Sequence, residues 1–169
     1  MTINLEDESK IEIQGTDLPA LARKVIEAAL DYEGCPYEAE VSLLLTDNAG
    51  IRKINREHRN IDRATDVLSF PMLEYDSPSD FSCAEAEACG CFHPDTGELL
   101  LGDIIISMEK VREQAKKYRH GEVREFAFLI THSMLHLFGY DHMETGEAKE
   151  MEKRQEAILH SLNILRILR

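Results

Sequence analysis

The chain has 169 residues, a length that fits one domain with its own hydrophobic core. Hydrophobic residues make up 43% of it and charged residues 30%, which excludes a disordered chain. The net charge of -13 excludes a protein that coats nucleic acid nonspecifically, unless the basic residues are segregated from the acidic ones.

The N-terminal segment gives no sign of export or membrane insertion. No stretch approaches the roughly 20 apolar residues that a membrane span needs. The opening residues, MTINLEDESK, lack the basic and apolar regions of a signal peptide. We therefore expect a cytoplasmic protein that has no membrane partner.

Hydrophobic periodicity in the first half of the chain predicts alternating strands and helices. Aspartates precede both helical patterns and are expected to cap them, while a glycine ends the first helix. In chain order, the expected elements are an edge strand or hairpin over 2–14, a helix from Asp17 to Gly34, a strand over 40–46, a basic helix from Asp47 to about Arg59 and a strand over 65–70.

The second half predicts one more strand and three helices after a long acidic segment. Residues 74–98 show no sustained period and predict a surface loop. The expected elements that follow are a core strand over 99–107 with a bulge at Gly102, a basic helix capped by Ser107, a central buried helix over 122–138 and an amphipathic helix from Thr145.

These elements predict an α+β fold in one domain over residues 1–169. We expect a small mixed sheet of four to five strands, with the helix over 122–138 as its buried centre. Strand order does not follow from the sequence.

The acidic loop contains a group of possible metal ligands, and two interpretations stay open for it. Cys83, Cys89, Cys91 and His93 are thiols and an imidazole, which are zinc ligands. Their C-x5-C-x-C-x-H spacing differs from the paired C-x2-C knuckles of structural zinc sites. An exposed thiol-bearing loop is therefore favoured over a second metal site.

The central helix contains a histidine pattern that predicts a metal site. His132 and His136 are four residues apart, so both imidazoles lie on one helix face. Gly139 allows the chain to turn back, and His142 follows it, giving H-x3-H-x2-G-x2-H. Three histidine ligands favour one Zn²⁺ per chain with a fourth position open to water, which is typical of a zinc hydrolase.

Residue 133 distinguishes between classes of zinc hydrolase. The metzincin peptidases have the same histidine spacing, but they place a glutamate directly after the first histidine as the general base. This sequence has Ser133 at that position. A zinc metallopeptidase is therefore a disfavoured alternative.

Three segments of the chain resemble the YbeY family of bacterial metalloendoribonucleases. THSMLHLFGYDH over 131–142 is similar to the family's H-G-x-L-H-L-x-G-Y-D-H signature. NREHRNIDRATDVLSFP over 55–71 and LGDIIIS over 101–107 resemble two further family segments. The sequence departs from the family at Ser133, where glycine is usual, and in the length of the acidic loop.

The resemblance implies a zinc-dependent, single-strand-specific endoribonuclease that acts in ribosomal RNA 3′-end maturation and ribosome quality control. It implies that His132, His136 and His142 hold the zinc and that Arg59 is a catalytic residue. Its partners would be single-stranded ribosomal RNA and ribosome-associated proteins, and we expect a monomer. A noncatalytic ribosome-associated or RNA-binding protein with a structural zinc remains an alternative.

Further residues are candidates for supporting roles. Asp66, Ser107 and Asp141 could orient a ligand or a water molecule, or could serve only as caps and turn residues. Basic residues on two helices could form an RNA groove: Arg52, Lys53, Arg56, Arg59 and the helix over 110–119.

Overall fold

The computed structural model describes residues 1–85 and 90–165. Its strands are β1 (Thr2–Asp7), β2 (Ala39–Thr46), β3 (Val67–Pro71) and β4 (Leu99–Ser107). Its α-helices are α1 (Leu18–Tyr32), α2 (Asn48–Arg59), α3 (Met108–Tyr118), α4 (Glu122–Leu137) and α5 (Thr145–Ser161).

The strands form one mixed sheet in the order β1-β2-β4-β3. β1, β2 and β4 pair in parallel, whereas β3 runs antiparallel to β4 at the other edge. Pro71 ends β3 on this edge, where a missing backbone N–H is tolerated. The α+β class and the strand number predicted from the sequence are confirmed.

The N-terminal segment forms an edge strand, and the alternative of a hairpin is wrong. The side chain of Asp7 accepts hydrogen bonds from the N–H and hydroxyl of Ser9, which turns the chain out of β1. Ile13 is buried and packs on the core without joining the sheet. Its alternation with Ile11 therefore reflects packing of a loop and not strand pairing.

Side chains cap three of the helices as predicted. Asp17 accepts from the N–H of Ala20 at 3.0 Å, and Asp47 accepts from the N–H of Gly50 at 2.8 Å. Ser107 caps α3 through the N–H of Lys110 at 3.3 Å. These bonds satisfy N–H groups that have no partner inside the helix.

Helix α4 lies at the centre of the main core. It packs against α1, α3 and α5 and against β3 and β4, so nearly its whole surface is covered. α2 lies against the opposite face of the sheet, over a smaller apolar cluster of Ile51, Leu68 and Ile105. The buried central helix is thus confirmed, and two of the metal-ligand candidates, His132 and His136, lie on it.

The predicted bulge in β4 is confirmed, and Gly102 shows why it is there. The pairing register between β2 and β4 shifts next to Gly102, whose φ is 142°. A Cβ at this position would lie 2.2 Å from the carbonyl oxygen of Phe70 on β3. Only glycine lets β3 approach β4 this closely.

Gly102→Ala is expected to lower the free energy of unfolding by about 3 kcal/mol or more, because strained backbone adds to a contact with a fixed backbone atom. Urea unfolding of the purified variants measures the effect. Gly146→Ala is the matched control, since nothing lies within 4 Å of its added Cβ. Equal stability of the two variants would contradict this account.

The acidic segment is more ordered than the predicted surface loop. It contains a short 3-10 helix at Phe81–Glu85, and Phe81 and Ala84 from this helix are buried in the core. Phe92 forms an isolated bridge with Leu99. Because acidic residues separate these apolar side chains, hydrophobic periodicity in the sequence does not reveal them.

Among the described residues, no helix has both the length and the apolar character needed to cross a membrane.

Candidate metal centre

Helix α4 brings the first two histidines together. The Nε2 atoms of His132 and His136 lie 3.1 Å apart, as expected for residues one helical turn apart. Both side chains are partly buried. Two ligands about 2.0–2.1 Å from a tetrahedral zinc lie roughly 3.3 Å apart, so this separation fits a shared ion.

The turn after α4 returns the third histidine to the same point. Gly139 has a φ of 95°, and a Cβ there would lie 3.0 Å from the ring of Tyr75. The N–H of Tyr140 donates to the carbonyl of Leu135 at 3.0 Å and closes the turn. One ring nitrogen from each of His132, His136 and His142 then lies within 4.8 Å of the others.

A backbone carbonyl fixes which nitrogen of the His136 ring is free to bind a metal, and a side-chain amide contacts the ring of His132. The Nδ1 of His136 lies 2.9 Å from the carbonyl oxygen of Tyr140, which can only accept, so Nδ1 carries the proton. The Nδ1 of His132 lies 2.5 Å from the Nε2 atom of the Gln155 amide. A 180° turn of this amide exchanges its nitrogen and oxygen; the oxygen would then accept from Nδ1 and leave Nε2 of His132 as a lone-pair donor.

Burial keeps two of these imidazoles neutral. Burial, together with charge repulsion from the neighbouring His136 and His142, lowers the pKa of His132 to about 4. The pKa of His136 is also lowered, because the effect of burial exceeds the opposing effect of the hydrogen bond to the Tyr140 carbonyl. Neutral imidazole is the form that binds metal, so the pair is ready to bind at neutral pH.

The donor set fits a metal with an open coordination position. Among the described residues, these three histidines are the group whose ligand atoms converge, and no carboxylate or thiol joins them. A structural zinc normally takes four protein ligands, whereas a catalytic zinc takes three. The arrangement therefore favours catalysis over the structural-zinc alternative.

Ser133 points away from the histidines and towards the sheet. Its hydroxyl shares a hydrogen bond of 2.5 Å with the hydroxyl of Ser69 on β3, and the residue is fully buried. It therefore joins α4 to β3. The small side chain leaves the ligand geometry intact, and it supplies no carboxylate of the metzincin type.

Two cavities meet at the histidines. The Arg59 cavity, of about 640 Å³, is lined by Arg59 from the end of α2 and by all three histidines. The Tyr118 cavity, of about 450 Å³, is lined by Tyr118 from the end of α3 and shares His132 and His142 with the first. A metal held by the triad would therefore face both cavities.

Arg59 is placed at the site and is free to bind an anion. It is exposed, and among the described residues no acidic side chain pairs with it. Arg52, one of the other predicted groove residues, donates instead to the carboxylate of Asp62 at 2.9 and 3.3 Å. This pairing raises the pKa of Arg52 and lowers that of Asp62.

The three candidates for supporting roles differ in position. Asp66 lines both cavities, and its Oδ1 accepts from the N–H of Val67 at 2.7 Å. Asp141 lines the Arg59 cavity and accepts from the N–H of His142 at 2.7 Å. Ser107 lines neither cavity. Its hydroxyl caps α3 and donates to Asn48 at 2.7 Å.

The loop cysteines do not form a second site among the described residues. Cys89 lies outside the described residues. Cys83 is half-buried, and Cys91 is buried in the core. The Nδ1 of His93 accepts from the N–H groups of Asp95 and Thr96, so this nitrogen serves the loop backbone.

Gln155 is a site residue that the sequence reasoning missed. It is 4% exposed and lies on the buried side of α5, four residues after the buried Met151. A polar residue in the apolar stripe of a helix is a signal that could have been noticed, since buried amides need partners. The partner here is a metal-ligand candidate from another helix.

Gln155→Leu is expected to weaken metal affinity about 10–100-fold, because the ring of His132 loses the side-chain amide that contacts its Nδ1 and orients it. Titration with a competing chelator measures this affinity. Gln155→Glu keeps an acceptor oxygen and is expected to retain most of it. If the leucine variant binds metal as tightly as the parent protein, Gln155 has only a packing role.

Comparisons with known proteins place this geometry in context. A sequence model described as endoribonuclease YbeY matches residues 2–163. A protein named endoribonuclease YbeY from Lachnoclostridium phytofermentans is 55% identical, over 98% of this chain and 100% of that protein. Another of that name from Agathobacter rectalis is 62% identical, over 89% of this chain and 91% of that protein.

A solved structure supports the fold. The solution structure of a Thermotoga maritima protein matches with a TM-score of 0.56 at 24% identity, covering 95% of this chain and 91% of that one. At this identity the likeness concerns the arrangement of strands and helices alone.

Proposed function

The chain belongs to the YbeY endoribonuclease family, and from this premise we propose that it cleaves single-stranded RNA with one zinc ion held by His132, His136 and His142. Membership of the family makes it a metal-dependent hydrolase that acts on RNA. The zinc identity, the strand preference and the roles of individual residues are the proposed part. The proposal also includes the domain assignment, in which residues 1–169 form one zinc metallohydrolase domain.

The observation that carries the proposal is the placement of Arg59 beside the triad. The Arg59 cavity is lined by this guanidinium and by His132, His136 and His142. Phosphodiester hydrolysis builds negative charge on the phosphate oxygens, and a guanidinium can donate to two of them at once. Arg59 would thus hold the scissile phosphate at the metal.

The residues around the histidines support this reaction. A zinc ion bound by three neutral imidazoles supplies a Lewis acid that activates water and polarises a phosphoryl oxygen. The Tyr140 carbonyl accepts the Nδ1 proton of His136, which keeps its Nε2 directed at the metal. The Gln155 amide contacts the Nδ1 of His132, and with its oxygen turned to that ring it would orient the second imidazole in the same way. Asp66 and Asp141 line the Arg59 cavity and are the carboxylates placed to accept a proton there.

The depth of the site supports a preference for single strands. The histidine rings of α4 are partly buried, and the cavities above them measure about 640 and 450 Å³. Unpaired RNA can extend its backbone and turn out its bases, whereas a duplex holds its bases stacked. A single strand can therefore place a phosphate at the histidines.

The proposed cellular role is maturation of the ribosomal RNA 3′ end and ribosome quality control in the cytoplasm, with ribosome-associated proteins as partners. It is supported by the three sequence segments that resemble the family, over 55–71, 101–107 and 131–142. The expected monomer remains part of the proposal.

The test measures cleavage and metal content on one preparation. We expect about one zinc per chain, cleavage of single-stranded RNA, and much slower cleavage of the same sequence annealed to its complement. Casein should remain intact, which distinguishes the nuclease from a peptidase. Metal-loaded protein that binds RNA without cutting any strand would favour the noncatalytic alternative.

A further inference from the structure

The Tyr118 cavity is not used by the proposed reaction, yet it opens onto the same histidines. It measures about 450 Å³ and is lined mainly by residues of α3, α4 and α5. His132, His142 and Asp66 line both this cavity and the Arg59 cavity. If an RNA strand places a phosphate at the histidines, the adjacent nucleotide can reach the Tyr118 cavity.

Charge excludes a phosphate from the Tyr118 cavity. Four carboxylates line it: Asp66, Glu125, Glu152 and Glu156. The guanidinium of Arg124, which also lines it, already donates to Glu156 at 2.8 Å and to the carbonyl of Ile164 at 3.0 Å. A backbone phosphate would therefore meet negative charge there, whereas in the Arg59 cavity it meets an unpaired cation.

Hydrogen bonding orders the polar floor of the Tyr118 cavity. The Nε2 atom of Gln114 donates to Glu125 at 2.6 Å and to Asp66 at 3.3 Å, and the second oxygen of Glu125 pairs with His120. Among the described residues, no donor reaches the Oε1 atom of Gln114. This floor therefore presents acceptors: an amide oxygen and carboxylate oxygens.

Flat apolar groups form the remaining walls. Tyr118 is 50% exposed, and Phe128 is half-buried with its ring nearly parallel to that of His132. Val67 and Met151 add apolar surface to the lining. Such walls suit a planar, uncharged group that stacks on an aromatic ring.

We propose that the Tyr118 cavity is a nucleobase subsite, which takes the base next to the scissile phosphate and prefers bases with an exocyclic amino group. The inference rests on the proposed function, since it needs an RNA strand at the histidines. Adenine, cytosine and guanine can donate an amino N–H to the acceptors of the floor. Uracil lacks an amino group, and its single N3–H lies between two carbonyl oxygens that those acceptors repel.

The experiment compares short labelled oligo(A), oligo(C) and oligo(U) strands with metal-loaded protein. We expect oligo(A) and oligo(C) to be cleaved with a kcat/KM about tenfold above that of oligo(U). Tyr118→Ala should raise KM for the two preferred strands about tenfold and leave metal content unchanged. Tyr32→Ala is the matched control, a 44% exposed tyrosine on α1 that does not line the cavity.

A second pair of variants tests whether the carboxylates that line the cavity act as acceptors for the base. Glu152 lines the Tyr118 cavity, whereas Glu147 on the same helix lines a different one. Glu152→Gln is expected to narrow the preference for amino-bearing bases, and Glu147→Gln is expected to leave it unchanged. Self-stacking of oligo(A) also affects its rate of cleavage. The decisive quantity is therefore how much each mutation changes the ratio of kcat/KM between the amino-bearing strands and oligo(U).

The outcomes separate this inference from the proposed function. Equal cleavage of all three strands, unchanged by Tyr118→Ala, overturns the subsite and leaves the nuclease assignment standing. If the parent protein cuts no strand, the proposed function fails, and fluorescence anisotropy with cleavage-resistant 2′-O-methyl strands decides on the subsite. Tighter binding of oligo(A) and oligo(C) that depends on Tyr118 supports it, and equal binding overturns it.

Discussion

His136→Ala is expected to abolish metal binding and to lower kcat/KM for single-stranded RNA by on the order of 10³-fold. The variant removes an Nε2 donor that lies 3.1 Å from that of His132. A metal Lewis acid contributes several kcal/mol to stabilising charge in the transition state, and each 1.36 kcal/mol corresponds to about tenfold in rate. Metal content and initial cleavage rates, measured on the same preparation, check both effects.

His142→Ala separates loss of the ligand from loss of the fold. His136 is partly buried, so its replacement also disturbs packing, whereas the side chain of His142 is 56% exposed. Both variants should lose metal and activity together, while only His136→Ala should change thermal stability of the metal-free protein appreciably. His160→Ala, an exposed histidine on α5, is the control. Full activity in a metal-depleted His142→Ala preparation would contradict the metal mechanism.

The sequence allowed the convergence of the three histidines to be predicted, because helical spacing is a local property. Residues four apart on one helix share a face whatever surrounds the helix, so His132 and His136 converge by geometry alone. The return of His142 depends on Gly139, whose positive φ is a requirement that glycine makes visible in a sequence. The helix caps and the bulge at Gly102 were also predictable, because each depends on residues that are close together in the sequence.

The supporting residues could not be predicted, because they reach the site from distant parts of the chain. Gln155 lies 23 residues after the histidine that it contacts. Gln114 and His120 lie on and just after α3, and they meet Glu125 of α4 only when the helices pack. Periodicity identifies which face of a helix is buried, but it does not identify the partner of each residue on that face.

The long acidic segment shows a second limit. Its composition predicted a surface loop, whereas Phe81 and Ala84 fix part of it to the core. The N–H of Ser79 donates to the carbonyl of Phe138 at 2.8 Å, so the segment also supports the end of the histidine-bearing helix. A few scattered apolar residues among many charges are enough to anchor a loop, and they leave no regular pattern in the sequence.

Arg59→Glu is expected to retain zinc and to lower kcat for single-stranded RNA by about 10²–10³-fold. The guanidinium lines the cavity that holds all three histidines and has no acidic partner among the described residues. Removing one donor that stabilises transition-state charge costs about that factor in kcat. Single-turnover cleavage, with metal content measured in parallel, separates this effect from loss of the metal.

Two further variants distinguish a catalytic arginine from a general electrostatic one. Arg59→Lys keeps the charge but loses the planar fork that bonds two phosphate oxygens, so an intermediate kcat is expected. Arg56→Glu makes the same charge change on an exposed residue of α2 that does not line the cavity. It should raise KM and weaken the salt dependence of binding while leaving kcat near that of the parent protein. If Arg56→Glu lowers kcat as much as Arg59→Glu, the arginines of α2 act only by attracting RNA, and no single one of them contacts the scissile phosphate.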